Sequence, residues 1–167
     1  CGVFGISGTK DAAALTALGL HALQHRGQDS TGIVTSDKSN FFAHRGMGQV
    51  SEVFSNSALL NTLKGTISIG HNRYGTTGES ALKNVQPLFS ELNIGGVAIA
   101  HNGNLTNTHK LKDKLIQSGS IFQSTSDTEV ILHLLSTAHG SLLERLNYAL
   151  NSINGAYSLL LMTNDKL

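Results

Sequence analysis

Short apolar runs alternate with polar, glycine-rich breaks along this chain, and most of the runs have the length of a strand rather than a helix. Residues 2–6, Gly-Val-Phe-Gly-Ile, predict a strand whose glycines let other backbone come close. Over residues 11–24, Leu15, Leu18, Ala22 and Leu23 recur on one face, so a helix is expected with that face buried and Gly27 as its stop. Ile33-Val34 and the run from Phe41 to His44 read as hairpin partners around the turn Asp37-Lys38-Ser39-Asn40. Residues 51–63 predict one or two short helices. Ile67 and Ile69 predict a strand that runs into the polar group His71-Asn72-Arg73-Tyr74.

The segment from Gly75 to Leu82 is made of glycine, hydroxyl and charged residues and reads as a loop. Val97-Ala98-Ile99-Ala100 predicts a strand buried on both faces that ends at His101-Asn102-Gly103-Asn104. Three helices are then expected: residues 106–117 with Leu111 and Leu115 inward, residues 126–135, and residues 142–153 with Leu146, Ala149 and Leu150 inward. The second opens on Ser126-Asp127-Thr128-Glu129, the spacing of a capping box. A last strand is expected over residues 156–162. No internal repeat or linker divides the chain, so one domain of mixed α and β character is expected.

Composition narrows the function classes. Charged residues make up 14% of the 167 and the net charge is +1, which leaves no broad basic field for nucleic acid or an anionic membrane. No apolar run approaches the roughly 20 residues that cross a bilayer, so a soluble domain is expected. The single cysteine makes no internal disulfide and no zinc cluster, and the expected compartment is the cytoplasm. None of the 8 histidines has metal-site spacing, so no metal site is expected; His71 and His101 adjoin the polar loops and are candidates for orienting them, while His21 and His133 read as packing or surface residues.

Candidate chemistry sits where polar residues punctuate the apolar runs. That single cysteine is Cys1, and a terminal cysteine holds a thiol and an α-amine, a nucleophile and its base, within a few bonds; the plain alternative is a trimmed leader. His25-Arg26-Gly27-Gln28-Asp29-Ser30 is a polar turn or simply a helix stop. Arg73 could pair bidentately with a carboxylate ligand, or be solvated or internally paired. Asn102 and the Gly103 N–H could stabilise an oxyanion, or form an ordinary Asn-Gly turn. Asp127 could hold an ammonium or cap a helix. Together they describe a pocket for an amino acid with an acyl group at its far end.

These stretches resemble the glutaminase domain of the amidophosphoribosyltransferases, a branch of the class II, amino-terminal-nucleophile glutamine amidotransferases. The resemblance runs through Cys1-Gly2-Val3-Phe4-Gly5-Ile6, Leu23-Gln24-His25-Arg26-Gly27-Gln28, Gly70-His71-Asn72-Arg73-Tyr74, Val85-Gln86-Pro87-Leu88, His101-Asn102-Gly103-Asn104-Leu105 and Thr125-Ser126-Asp127-Thr128-Glu129. Glucosamine-6-phosphate synthase shares the terminal cysteine, the arginine and the Asn-Gly pair, but typically has Tyr in place of Gln28 and Trp in place of Tyr74. Asn72 and Gly75 stand where relatives usually have apolar residues or proline.

The resemblance implies an α+β fold, a four-layer αββα sandwich of the amino-terminal-nucleophile hydrolase type. It implies that Cys1 attacks the side-chain amide of L-glutamine while Asn102 and Gly103 hold the oxyanion. Arg73 would bind the α-carboxylate and Asp127 the α-ammonium, with Thr76 and the Arg26-Gly27 turn completing the pocket. The segment from Arg73 to about Lys83 would close over glutamine, with Gly75 and Gly78 as hinges. Leu167 falls within the later strands of that fold, so residues 1–167 are expected to be an incomplete glutaminase domain lacking its phosphoribosyltransferase domain. No cofactor is implied in this chain; for the full-length enzyme, a homo-oligomer, Mg2+ is implied and an iron–sulfur cluster is left open. A non-catalytic glutamine-binding module and an amidase of different substrate are the other readings.

Overall fold

The computed structural model describes residues 1–75 and 81–167. Its strands are β1 (Gly2–Ser7), β2 (Ser30–Ser36), β3 (Phe41–Met47), β4 (Ile67–Arg73), β5 (Leu88–Leu92), β6 (Gly95–Leu105) and β7 (Gly155–Thr163). Its helices are α1 (Ala12–Ala22), the short α2 (Val50–Val53) and α3 (Ser57–Leu60), α4 (Thr108–Gln117), α5 (Thr128–Thr137) and α6 (Leu142–Ser152). The strands form two antiparallel sheets, one in the order β1-β4-β2-β3 and one in the order β5-β6-β7.

Side-chain alternation along each strand decides what packs where. Val34, Ile67 and Ile69 from the first sheet meet Ala98, Ala100 and Met162 from the second in a core between the sheets. The opposite face of the first sheet, with Ile33, is covered by Ala13, Ala17 and Leu20 of α1 and by Val50, Phe54 and Leu63. The outer face of the second, with Val97 and Ile99, is covered by Leu115, Val130, Ile131, Leu134, Leu135 and Ala149 of α4, α5 and α6. The layers are helix, sheet, sheet, helix, the αββα sandwich that the motifs implied.

Several elements differ from the sequence reading. The buried face of α1 is Ala12, Ala13, Thr16, Ala17 and Leu20, whereas Leu18 is 65% exposed and Leu15 37%. Small residues face inward because α1 lies against glycines: a Cβ on Gly70 would stand 2.7 Å from both Leu20 Cδ1 and Thr16 Cγ2. The strand expected to end at Ala100 continues to Leu105, because β7 pairs with it throughout, Asn102 opposite Ser158 and Gly103 opposite Tyr157. β5 was not foreseen. The capping box at Ser126 does not form: the Glu129 carboxylate accepts instead from the Gln123 and Ser124 amides and the Ser124 hydroxyl. Of the expected loop, from Gly75 to Leu82, residues 76–80 lie outside the described residues, and its last residue opens a single 3-10 turn, Leu82–Asn84.

The tight seat of α1 predicts that Gly70→Ala lowers the unfolding free energy by about 1–3 kcal/mol, since overpacking forces the helix off the sheet. Urea denaturation checks it; an unchanged midpoint would show that Thr16 and Leu20 can yield.

Candidate active site

β1 carries Cys1 to the end of the first sheet, where Gly2 pairs with Asn72 of β4. The Cys1 α-amine donates to the Arg26 carbonyl oxygen at 2.7 Å, and Arg26 Nε donates back to the Cys1 carbonyl at 3.4 Å. Partial burial and then the Arg26 guanidinium hold the amine below its ordinary value of 8.0. The turn that supplies Arg26 is pressed on β4: a Cβ on Gly27 would come within 2.6 Å of the Arg73 carbonyl carbon, and Asp29 N donates to Arg73 O at 3.0 Å. Gly27 is therefore required by contact, its backbone being extended.

Arg73 ends β4, paired with Ser30 and 7% exposed. Two residues back, His71 is wholly buried. Its Nε2 lies 3.0 Å from the His101 carbonyl oxygen, which can only accept, so Nε2 carries the proton and donates across from β4 to β6. The other ring nitrogen, Nδ1, has no hydrogen-bond partner among the described residues and is the bare lone pair of a neutral imidazole. Desolvation, first, pushes the His71 pKa down to about 3. Asn72, also buried, donates to Leu20 O at 2.6 Å and accepts from the Thr31 hydroxyl at 2.8 Å, joining α1, β2 and β4 behind the site.

β6 brings the second set of groups. Gly103 has φ +154, and a Cβ there would collide with the Ala156 carbonyl oxygen of β7, so only glycine fits. His101 Nδ1 lies 3.2 Å from Thr128 Oγ1 and 3.5 Å from Asp127 Oδ1. Asp127 Oδ2 accepts from Leu105 N at 3.2 Å. Burial by itself raises the Asp127 pKa, but the His101 hydrogen bond and charge and the Leu105 and Thr128 amides outweigh it, and the carboxyl sits below the ordinary range.

A cleft of about 320 Å³ is lined by Cys1, Arg73, Tyr74, Gly103 and Asp127, with Asn84, Gln86 and Thr125 among its other walls. Of the candidate residues, Cys1, Arg73, Gly103 and Asp127 thus share one cavity, with Arg26 and Gly27 behind Cys1. Asn102 is half-buried on β6, between two wall residues but not itself a wall. Thr76 lies outside the described residues. Asn84 gave no signal in the sequence, and Gln86 and Thr125 were visible only within their motifs.

Among the described residues no three His, Cys, Asp or Glu side chains gather where they could hold a metal ion. An iron–sulfur cluster is held by four thiolates, and the single cysteine does not fit it. No helix among the described residues is long and apolar enough to cross a membrane.

A family model described as a glutamine amidotransferase domain matches residues 71–167. An amidophosphoribosyltransferase of Lacticaseibacillus casei is 47% identical over the whole chain, which covers 87% of that sequence. The chain belongs to the amidophosphoribosyltransferase family. A member from Rhizobium etli is 57% identical over the whole chain, which spans 34% of that relative's length. Among solved structures, the Bacillus subtilis glutamine phosphoribosylpyrophosphate amidotransferase complexed with ADP and GMP is 46% identical, with a TM-score of 0.91 over 98% of this chain and 35% of that one. The structure titled as the allosteric regulatory enzyme of purine biosynthesis is 48% identical, with a TM-score of 0.93 over 98% of this chain and 36% of that one.

In this member the neutral, buried His71 makes stability depend on pH. A histidine of pKa about 3 in the fold and 6.5 unfolded takes up its proton only on unfolding between those values. Its contribution is therefore complete above pH 6.5 and lost as the pH falls, by about 1.4 kcal/mol per pH unit. Urea midpoints between pH 6.5 and 4.5 should fall in the wild type and much less in His71→Gln, which keeps a donor for the His101 carbonyl; parallel slopes would refute the assignment.

Proposed function

We propose that this chain is the glutaminase domain of a longer amidophosphoribosyltransferase and hydrolyses the side-chain amide of L-glutamine to glutamate and ammonia. The observation that carries this reading is one cleft holding a thiol, a cation and an anion, Cys1, Arg73 and Asp127. A substrate with an α-carboxylate and an α-ammonium satisfies Arg73 and Asp127 together and leaves its amide free to meet Cys1. An amidase for a substrate without those groups would make use of neither Arg73 nor Asp127.

The chemistry follows from the groups. The Cys1 α-amine, with its lowered pKa, takes the thiol proton directly or through a water, and Sγ attacks the amide carbon. The carbonyl oxygen becomes an oxyanion held by Asn102 and the Gly103 N–H. Collapse breaks the carbon–nitrogen bond as the protonated amine returns its proton to the leaving nitrogen, and ammonia departs. Water then attacks the γ-glutamyl thioester through a second oxyanion, releasing glutamate and the Cys1 thiol. Arg73, Thr76 and Asp127 bind the amino-acid end, with the Arg26-Gly27 turn behind Cys1.

In the whole enzyme the ammonia passes to a phosphoribosyltransferase domain beyond this chain, which makes 5-phosphoribosylamine from phosphoribosylpyrophosphate in purine biosynthesis. Mg2+ and any iron–sulfur cluster belong to the full-length enzyme, which assembles as a homo-oligomer. Identity to amidophosphoribosyltransferases along the full chain favours this branch over glucosamine-6-phosphate synthase. The cytoplasm suits the lone reduced cysteine.

The deciding experiment is release of ammonia and glutamate from glutamine by the mature protein, its amino terminus verified by mass. Cys1→Ala should lower it by about a thousandfold or more while glutamine still binds; retained turnover would sink the proposal. The amine is a base only when neutral, so the acid limb of kcat/KM should lie below pH 8.0, and Arg26→Gln, which removes a positive neighbour, should move that limb upward.

A further inference from the structure

We infer that Asn84 is a positioning residue that sets the separation between Arg73 and Asp127, and so the preference of the site for an α-amino acid. The inference rests on the glutaminase reading above. Arg73 belongs to β4 in the first sheet, whereas Asp127 stands at the start of α5, packed on the second. Two charges on different layers hold a fixed spacing only if something spans the layers beside them.

Residues 84–86 do so. Asn84, 1% exposed, donates from Nδ2 to Thr125 Oγ1 at 2.8 Å and accepts from Thr125 N at 2.9 Å, a reciprocal pair that fixes the backbone two residues before Asp127. The next residue turns the other way: Val85 O accepts from Arg45 Nη1 of β3, at 3.1 Å, in the first sheet. Gln86 faces both sheets. Its carbonyl lies over Gly32 of β2, where a Cβ would collide with it, and its side-chain Oε1 accepts from His101 N of β6 at 2.7 Å. That side-chain bond lies two residues past the last β5–β6 pair, Leu88 with Ile99.

The consequence is selective. His101 already braces Asp127 from below, and Asn84 braces the loop that leads into it. Losing the Asn84–Thr125 pair frees Thr125 to Asp127 to shift relative to β4 while Cys1, Arg73 and Gly103 keep their own supports. The ammonium contact should weaken, and the carboxylate contact and the chemistry at Cys1 should not.

The experiment compares Asn84→Ala with wild type, in the full-length protein, on L-glutamine and on glutaramate, which carries the same carboxylate and amide but lacks the α-ammonium. Expected is a rise of about tenfold in KM for glutamine with a much smaller fall in kcat, and a loss of kcat/KM on glutaramate several-fold smaller than the loss on glutamine. Thr125→Val, which removes the hydroxyl but keeps the amide, should give part of the same selective loss, and its effect should not add to that of Asn84→Ala. Equal losses on both substrates would mean a general structural role and overturn the inference, as would unchanged KM for glutamine. A wild-type protein that hydrolyses neither substrate would instead overturn the glutaminase reading itself.

Discussion

One buried hydrogen bond holds the two halves of the site in register. His71 of β4 donates through Nε2 to the carbonyl of His101 of β6, and its length fixes how closely the two sheets approach at the end where Cys1, Arg73, Gly103 and Asp127 converge. Burial strengthens such a bond and makes its loss costly, because the orphaned carbonyl has no water to turn to. The same burial keeps His71 neutral. The sheets are closed elsewhere by Ala98 and Ala100 against Val34, Ile67 and Ile69, but apolar packing alone does not specify position to a fraction of an ångström. A directional bond between the strands that bear the reactive groups does.

The site is also built on backbone proximity that only glycine permits. Gly27 lies on the carbonyl of Arg73, Gly103 on β7, and Gly32 beneath Gln86. At each point a side chain would force apart two segments that must touch for the cleft to close.

Much of this was legible in the sequence. The apolar runs around Ile33, Ile69 and Ile99 announced strands because central strands bury both faces, and the family resemblance carried by the motifs implied the αββα sandwich. The helix α1 misled because Leu15 and Leu18 point outward while Ala12, Ala13, Thr16, Ala17 and Leu20 face the sheet. His101-Asn102-Gly103-Asn104 has the composition of a turn; pairing with β7, more than fifty residues away in the chain, makes it strand. β5 begins just past Pro87 and leaves Phe89, Ser90 and Glu91 exposed, so no alternation marked it. Cys1, Arg73 and Asp127 stood out because their chemistry is unusual where they occur. Asn84 did not, since its partner Thr125 is 41 positions distant and an asparagine beside a valine carries no mark of what it will touch.

The amide of Leu105 donates to the carboxylate of Asp127, and so the protein carries a built-in reporter of its own anion. Charge drawn from that carboxylate by a bound cation would weaken the hydrogen bond and move the nitrogen and proton resonances of one backbone amide. Leu105 is buried, so the signal would come from occupancy of the cleft rather than from solvent, and spectroscopy could follow binding without any label added to the molecule.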